Sequence, residues 1–150
     1  VLALGGGSLV AISILEESYR IIGWMIICAA VNDSVAYFSG KAIGGPKFAP
    51  GVSPKKTWSG SVCGLFVGTI AGGTLSGLLP LSITWTAGFG LAFAVCSVGQ
   101  IFDLAKSFLK RMHAVKDSSN LLPGHGGVLD RVDGILGASL VVVTCLLWFG

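Results

Sequence analysis

Residues 107–133 gather ionisable side chains within an otherwise apolar chain. The segment reads SFLKRMHAVKDSSNLLPGHGGVLDRVD, in which Lys, Arg, His and Asp flank a Gly-rich turn. Because charge is costly beside a bilayer, an apolar protein that concentrates charged groups in one loop is expected to use them. Cationic groups beside carboxylates suit the binding of phosphates together with a metal ion. The pattern therefore predicts a site for phosphate groups and a metal.

The acidic side chains indicate which metal this would be. Mg²⁺ binds one or two carboxylates, keeps several waters and takes its other ligands from substrate phosphates. Asp103 ends one apolar run and Asp130 precedes another, so their carboxylates meet if those helix ends adjoin. Asp130 and Asp133 are three residues apart and share a face if the chain is helical there. Simple ion pairing of these two residues with Arg131 or a nearby Lys is the alternative.

A second polar segment, residues 33–60, contains Pro46, Pro50 and Pro54 together with five Gly. This composition predicts an irregular loop with neither strand nor helix. The end of the segment, residues 53–58, offers hydroxyl and ammonium groups directly before an apolar run. Lys supplies a point charge for phosphate, and a helix N-terminus adds backbone amides. A basic flank that only stops membrane transfer would explain the Lys residues but not the Ser, Pro and Thr beside them.

The elements that must position these segments are apolar runs. Hydrophobic residues make up 53% of the 150 residues and charged residues 11%, whereas soluble domains carry about 25% charged residues. We therefore expect an all-α, polytopic transmembrane bundle of about five hydrophobic helices with two cytoplasmic catalytic loops. It would form a single integral membrane catalytic domain over residues 1–150. The runs are residues 1–15, 21–31, 62–79, 84–102 and 135–149.

Two of these runs, the third and fourth, approach the roughly 20 residues that a full span requires. Asn32, Asp33 and Ser34 interrupt the second run, so we expect its helix to continue with a polar face turned into the protein. The chain begins with Val1 and stops within an apolar run, which predicts a fragment or processed product of a longer protein. The first run lacks the basic segment that begins a signal peptide.

The basic residues define the expected topology. Nine of the ten Lys and Arg lie either between the second and third runs or at and between the fourth and fifth. A helical hairpin separates these two regions, which places them on one membrane face, and the positive-inside rule makes that face cytoplasmic. Topology signalling and contact with lipid headgroups would account for the Lys and Arg residues alone, but not for the Asp residues among them.

The third run carries a stripe of glycine. Gly60, Gly64, Gly68 and Gly72 recur every four residues and therefore share one helix face. Small residues let a neighbouring backbone come close, which is how membrane helices commonly pack. The sequence leaves open whether that neighbour lies within the fold or across a homodimer formed through residues 60–77.

At this point the residues resemble a known family. Residues 107–133 resemble the signature of the phosphatidate cytidylyltransferase (CDP-diacylglycerol synthase) family, and DSVAYFSG and SPKKTWSG resemble family segments upstream. The chain departs from the family at residues 102–107, which read FDLAKS where GDLxES is usual, so that Lys106 replaces an acid. Members also tend to carry further N-terminal membrane helices, so the resemblance implies that this chain is a C-terminal fragment. The signature positions that match are Ser107, Lys110, Arg111, Lys116, Asp117, Pro123, His125, Gly126, Gly127, Asp130, Arg131 and Asp133.

The resemblance implies transfer of a cytidylyl group from CTP to phosphatidic acid, which gives CDP-diacylglycerol and pyrophosphate for phospholipid biosynthesis. The phosphatidate phosphate is already an anionic nucleophile, so the site needs to align it, neutralise charge and stabilise the leaving pyrophosphate. Mg²⁺ is the expected cofactor, with Mn²⁺ as a substitute and a second cation such as K⁺ left open. The expected partners are the two substrates and the bilayer of a bacterial inner membrane, with the site on the cytoplasmic side and no nucleic acid.

The same resemblance suggests roles for individual side chains. We expect Asp103 and Asp130 to bind the metal, with Asp133 as a support or further ligand. His125 either contacts a phosphate or stabilises its turn. The other catalytic positions, close to the metal or holding phosphates, are Ser107, Lys110, Arg111, Lys116, Asp117 and Arg131. The substrate-binding residues expected from the upstream segment are Asp33, Ser53, Lys55, Lys56 and Thr57.

Two other functions stay open at this stage. A CTP-dependent polyprenol or lipid kinase would share the topology and the basic loops. It would transfer the γ-phosphate to an alcohol, which requires a base, and would release CDP instead of pyrophosphate. A membrane ion transporter would use Asp33 as an intramembrane ion site, but it leaves the clustered charges of residues 107–133 without a purpose.

Overall fold

The protein is an all-α membrane protein with one small β-hairpin. A computed structural model describes residues 2–13, 18–79, 84–112 and 137–145. Three helices in this part of the chain, Tyr19–Ile43, Trp58–Leu78 and Trp85–Leu109, are long and apolar enough to cross a membrane. The predicted polytopic helical fold is confirmed. The elements in chain order are α1 Leu2–Ser13, α2 Ser18–Ile43, β1 Lys47–Ala49, β2 Ser53–Thr57, α3 Trp58–Leu78, α4 Trp85–Met112 and a helix over residues 137–145.

Helix α2 continues through its polar residues, as the sequence predicts. It is 26 residues long and continues without interruption through Asn32 and Asp33. The Asn32 side chain is only 2% exposed. The helix ends at Ile43, after which Gly44 has a φ of 67° and donates its N–H to Gly40 O at 3.2 Å. Glycine adopts this left-handed conformation without steric cost, so it stops the helix and turns the chain into the hairpin.

The segment after α2 contains β1 and β2, so the prediction of a wholly irregular loop is wrong. The strands are antiparallel, with Lys47 opposite Thr57, Ala49 opposite Ser53 and an irregular register between them. A hairpin of two strands has only edges, and an edge tolerates proline because its missing N–H need not join a ladder. The rings of Phe48 and Trp58 pack edge to face at 4.4 Å and hold the hairpin at the start of α3.

The glycine stripe of α3 packs inside the fold against α2 and α4. A Cβ atom added at Gly64 would lie 2.7 Å from the Asn32 carbonyl oxygen, and one added at Gly72 would lie 2.6 Å from Cys28 Sγ. The Trp24 indole on α2 also donates to Gly72 O at 2.8 Å. Because α2 and α4 cover this face, it is not available for a dimer contact. The homodimer itself stays an untested prediction.

The core lies between these helices and includes residues from both ends of the chain. The helix over residues 137–145 begins beside the C-terminal half of α4, since a Cβ atom at Gly137 would lie 2.9 Å from the Phe102 ring. Large side chains such as Phe66, Ile70 and Phe93 remain exposed on the outer faces, where a bilayer would cover them. The buried hydrophobic residues are Ile12, Trp24, Met25, Cys28, Ala92, Val95, Cys96, Ala138 and Val142.

Candidate active site

A polar cavity of about 620 Å³ lies where α2, the hairpin, α3 and α4 come together. We call it the polar cavity. Its charged lining comes from four segments that are far apart in the sequence. The four Lys and two Asp leave an excess of two positive charges, which suits an anion with several charges. These residues are Asp33 and Lys41 from α2, Lys47 from β1, Lys55 and Lys56 from β2, and Asp103 from α4.

The spacing of residues in α2 explains how one helix supplies both an acid and a base to the polar cavity. Asp33, Tyr37 and Lys41 are each four residues apart and lie on one helix face. All three line the cavity. Lys41 and Lys47 were not among the site residues expected from the sequence, where they read as basic loop residues. Lys41 reaches the site because it lies four residues beyond Tyr37 on the same helix face. Lys47 reaches it because it lies opposite Thr57 in the hairpin.

Lys56 and Asp103 form an ion pair that joins the hairpin to α4. Their side chains are 29% and 53% exposed, so the pair is accessible from the polar cavity. An exposed pair of this kind contributes at most about 1 kcal/mol to stability. The pair therefore brings a residue expected to bind substrate to one expected to bind metal, without locking either in place.

Three amide and carboxylate side chains form a hydrogen-bonded chain across the helices. Gln100 Nε2 on α4 donates to Asn32 Oδ1 at 2.9 Å and to the Ser61 carbonyl oxygen at 3.0 Å. Asn32 Nδ2 in turn donates to Asp33 Oδ1 at 3.1 Å. Sequence reasoning missed Gln100, although its position three residues before Asp103, within an apolar run, places the two side chains on one helix face.

Thr57 has a structural role at the start of α3. It is the N-cap residue, and its Oγ1 accepts the Gly60 N–H at 3.2 Å and the Ser59 hydroxyl at 3.1 Å. The single hydrogen of the Ser59 hydroxyl is shared with the Gly44 carbonyl oxygen, which is a second acceptor within its reach. The hydroxyl-rich end of this segment therefore caps a helix. The predicted substrate contacts of Thr57 and of Ser53, which pairs with Ala49 in the hairpin, stay predictions.

The first part of the signature segment continues α4. The Ser107 hydroxyl donates to the Asp103 carbonyl oxygen at 2.8 Å within the helix. Arg111 Nε donates to the Val52 carbonyl oxygen at 3.4 Å, so it contacts the turn of the hairpin. Lys110 also belongs to α4. The remaining predicted site residues lie outside the described residues: Lys116, Asp117, His125, Asp130, Arg131 and Asp133.

Comparison with known proteins decides the family. The model of the cytidylyltransferase family matches residues 2–149, almost the whole chain. The chain belongs to the cytidylyltransferase family. The resemblance stated from residues 107–133 is thereby confirmed.

Several curated proteins similar to this chain carry the name phosphatidate cytidylyltransferase. The chain is 44% identical over 144 residues to a phosphatidate cytidylyltransferase of Brucella abortus, covering 91% of this chain and 52% of that protein. It is 40% identical over 123 residues to one of Haemophilus influenzae, covering 77% and 41%, respectively. It is 37% identical over 117 residues to one of Helicobacter pylori, covering 78% and 43%. The chain thus spans about half the length of the curated relatives it matches.

The carboxylates of the polar cavity fit the requirements of Mg²⁺. Among the described residues no three His, Cys, Asp or Glu side chains cluster as a metal site. Asp33 and Asp103 line the same cavity and are close enough to interact electrostatically. Because Mg²⁺ needs only one or two carboxylates when phosphates and waters complete its shell, this donor set suits a metal that phosphate groups also bind.

Proposed function

We propose that the full-length protein is a phosphatidate cytidylyltransferase, which transfers CMP from CTP to phosphatidic acid and releases pyrophosphate. The observation that carries the proposal is the polar cavity, where four Lys and two Asp converge at the ends of three helices long enough to span a membrane. A reaction between a lipid phosphate and a nucleoside triphosphate needs a cationic site at the boundary between bilayer and water, because one substrate is held in the membrane and the other is dissolved in water. The names of the relatives support the same reaction.

The reaction requires alignment and charge neutralisation. An oxygen of the phosphatidate phosphate attacks the α-phosphorus of CTP, the bond from that phosphorus to the β-phosphate oxygen breaks, and the electron pair leaves with pyrophosphate. The nucleophile is an anion, so no residue has to remove a proton from it. The two substrates both carry anionic phosphates and repel each other. Four lysines of the polar cavity would neutralise this charge and lower the barrier to bringing the substrates together: Lys41, Lys47, Lys55 and Lys56.

Asp103, with Asp130 and Asp133, is proposed to hold Mg²⁺ in this site. The metal would neutralise charge on the triphosphate and on the leaving pyrophosphate, and Mn²⁺ is the expected substitute. Chain connectivity supports the grouping, since Gly137 lies against Phe102, the neighbour of Asp103. Asp133 precedes Gly137 by four residues, so their Cα atoms are separated by at most about 14 Å. A second cation such as K⁺ stays a prediction.

The site is proposed to face the cytoplasm from a bacterial inner membrane. The ion pair of Lys56 and Asp103, and the contact of Arg111 with Val52, bring the two basic regions to one end of the bundle. The positive-inside rule assigns that end to the cytoplasm. CTP is made there, and the relatives named above come from bacteria.

A labelling experiment on the reconstituted full-length protein tests the reaction. With CTP labelled at the α-phosphate, phosphatidic acid and Mg²⁺, we expect label in CDP-diacylglycerol and unlabelled pyrophosphate in solution. A parallel reaction with CTP labelled at the γ-phosphate should leave the lipid unlabelled. Lipid labelled from the γ-phosphate together with released CDP would establish the kinase instead. The absence of any labelled lipid with intact protein would overturn the proposed reaction.

A further inference from the structure

The chain of hydrogen bonds from Gln100 to Asp33 joins helices α2, α3 and α4. It starts at a backbone carbonyl of α3, passes through an α4 side chain and a buried α2 side chain, and ends on an α2 carboxylate. Gln100, Ser61 and both α2 residues line the polar cavity. We refer to the side chains of Gln100, Asn32 and Asp33 as the amide relay.

The two donated bonds fix the orientation of the Gln100 amide. A side-chain amide nitrogen carries two hydrogens, and Gln100 Nε2 uses both, one toward Asn32 and one toward Ser61. The carbonyl oxygen of Gln100 therefore cannot exchange places with the nitrogen without losing both bonds. Because Gln100 presents a donor to Asn32, the oxygen of Asn32 must face it.

That orientation dictates what Asn32 offers to Asp33. With its oxygen turned to Gln100, Asn32 presents its nitrogen to Asp33 Oδ1. A rotated Asn32 would instead place a carbonyl oxygen against the carboxylate, and the two would repel. Close packing against α3 keeps Asn32 in place. A Cβ atom added at Gly64 would lie 2.7 Å from the backbone carbonyl oxygen of Asn32, and one added at Gly68 would lie 3.0 Å from the Asn32 Cβ. The relay therefore holds one carboxylate oxygen of Asp33, and within the described residues the other oxygen accepts no hydrogen bond where Asp33 lines the cavity.

We propose that Gln100 and Asn32 are positioning residues, which hold the Asp33 carboxylate so that it binds a divalent cation in the cavity that Asp103 also lines. This deepens the proposed function, because the cation would be the one that accompanies CTP. Gln100 and Asn32 act only through Asp33. Their role differs from that of the surrounding glycines, which set helix spacing and carry no hydrogen-bonding side chain.

Binding of Mn²⁺ to the substrate-free, full-length protein tests the relay independently of turnover. Free Mn²⁺ is counted by electron paramagnetic resonance. Gln100→Met keeps the side-chain length but removes both donors, and we expect the affinity for Mn²⁺ to fall about tenfold, the equivalent of one hydrogen bond to a charged group. Asn32→Ala removes the last donor while Gln100 keeps its bond to Ser61, and it should produce a similar loss. This second variant decides the question if the first does not fold.

Two comparisons separate positioning from general damage. In an Asp33→Asn background, Gln100→Met should change Mn²⁺ affinity by less than about twofold, because effects in one chain of contacts are not additive. Equal losses in both backgrounds would overturn the proposal, as would unchanged affinity in the single variant. Thr74→Val removes an exposed α3 hydroxyl that bonds only to its own helix, and it should leave affinity unchanged. A wild-type protein that binds Mn²⁺ but makes no CDP-diacylglycerol would refute the reaction and leave the relay standing.

Discussion

At the scale of single residues, the neighbours of Asp103 allow its proposed role in metal binding to be tested apart from its contribution to stability. It pairs with Lys56 across the polar cavity, and it shares that cavity with Asp33. The ion pair is exposed enough that its loss should barely change the fold. Lys56 and Asp103 can therefore be replaced one at a time. Either replacement should have the same small effect on stability, but only the loss of Asp103 should weaken metal binding, and only the loss of Lys56 should weaken substrate binding.

Asp103→Asn should abolish Mg²⁺-dependent formation of CDP-diacylglycerol, because it removes a proposed metal ligand. The free energy of unfolding should change by less than about 1 kcal/mol, as expected for an exposed ion pair. Lys56→Met breaks the same pair but keeps the carboxylate, so we expect retained turnover with a KM for CTP raised about tenfold, the loss of one charged phosphate contact. Turnover and thermal unfolding of both variants provide the measurement. Normal activity of Asp103→Asn would exclude this residue as a ligand.

At the scale of elements, the pattern of α2 and α3 could be predicted, but their neighbours could not. The polar residues at 32–34 predict a helix with an inward polar face, and Asn32 is indeed buried. The stripe from Gly60 to Gly72 predicts a close contact, yet only the three-dimensional arrangement identifies α2 and α4 as its partners. The hairpin was not predicted because proline is unfavourable in most strands, where each N–H joins a ladder of hydrogen bonds. Edge strands are the exception, and both strands of this hairpin are edge strands. Gln100 was missed because one amide in an apolar run gives no periodic signal.

Substitution in the glycine stripe should separate α2 from α3. A Cβ atom at Gly64 meets backbone, the Asn32 carbonyl oxygen at 2.7 Å, which cannot rotate away as a side chain could. We expect Gly64→Ala to lower the free energy of unfolding by about 1–3 kcal/mol, the usual cost of overpacking. Gly90→Ala on α4 is the matched control, because no described atom beyond the adjoining backbone of its own helix lies within 4 Å of the added Cβ, and alanine favours a helix. Thermal unfolding in lipid nanodiscs compares them, and equal stability of the two variants would contradict the packing argument.

At the scale of the whole molecule, the fold places the charges of distant segments at one end of the helical bundle. The hairpin follows α2 and precedes α3, and α4 returns from the far side to the same end, where Asp103 meets Lys56. Hydropathy and the distribution of Lys and Arg are sufficient to predict this arrangement. The shape of the polar cavity required the structure, because the meeting of α2, the hairpin and α4 around it depends on long-range packing that no local pattern encodes.

Membrane sidedness follows from this arrangement and can be measured with single cysteines in a full-length protein whose native cysteines are replaced. Gly51→Cys introduces a thiol in the exposed turn of the hairpin, and Thr84→Cys introduces one at the exposed start of α4. If the positive-inside rule holds, a membrane-impermeant maleimide should label position 51 only in inverted vesicles and position 84 only in right-side-out vesicles. The two cysteines serve as controls for each other, since each should react where the other does not. The reverse pattern would place the polar cavity on the face away from CTP, and the proposed reaction could not then occur there.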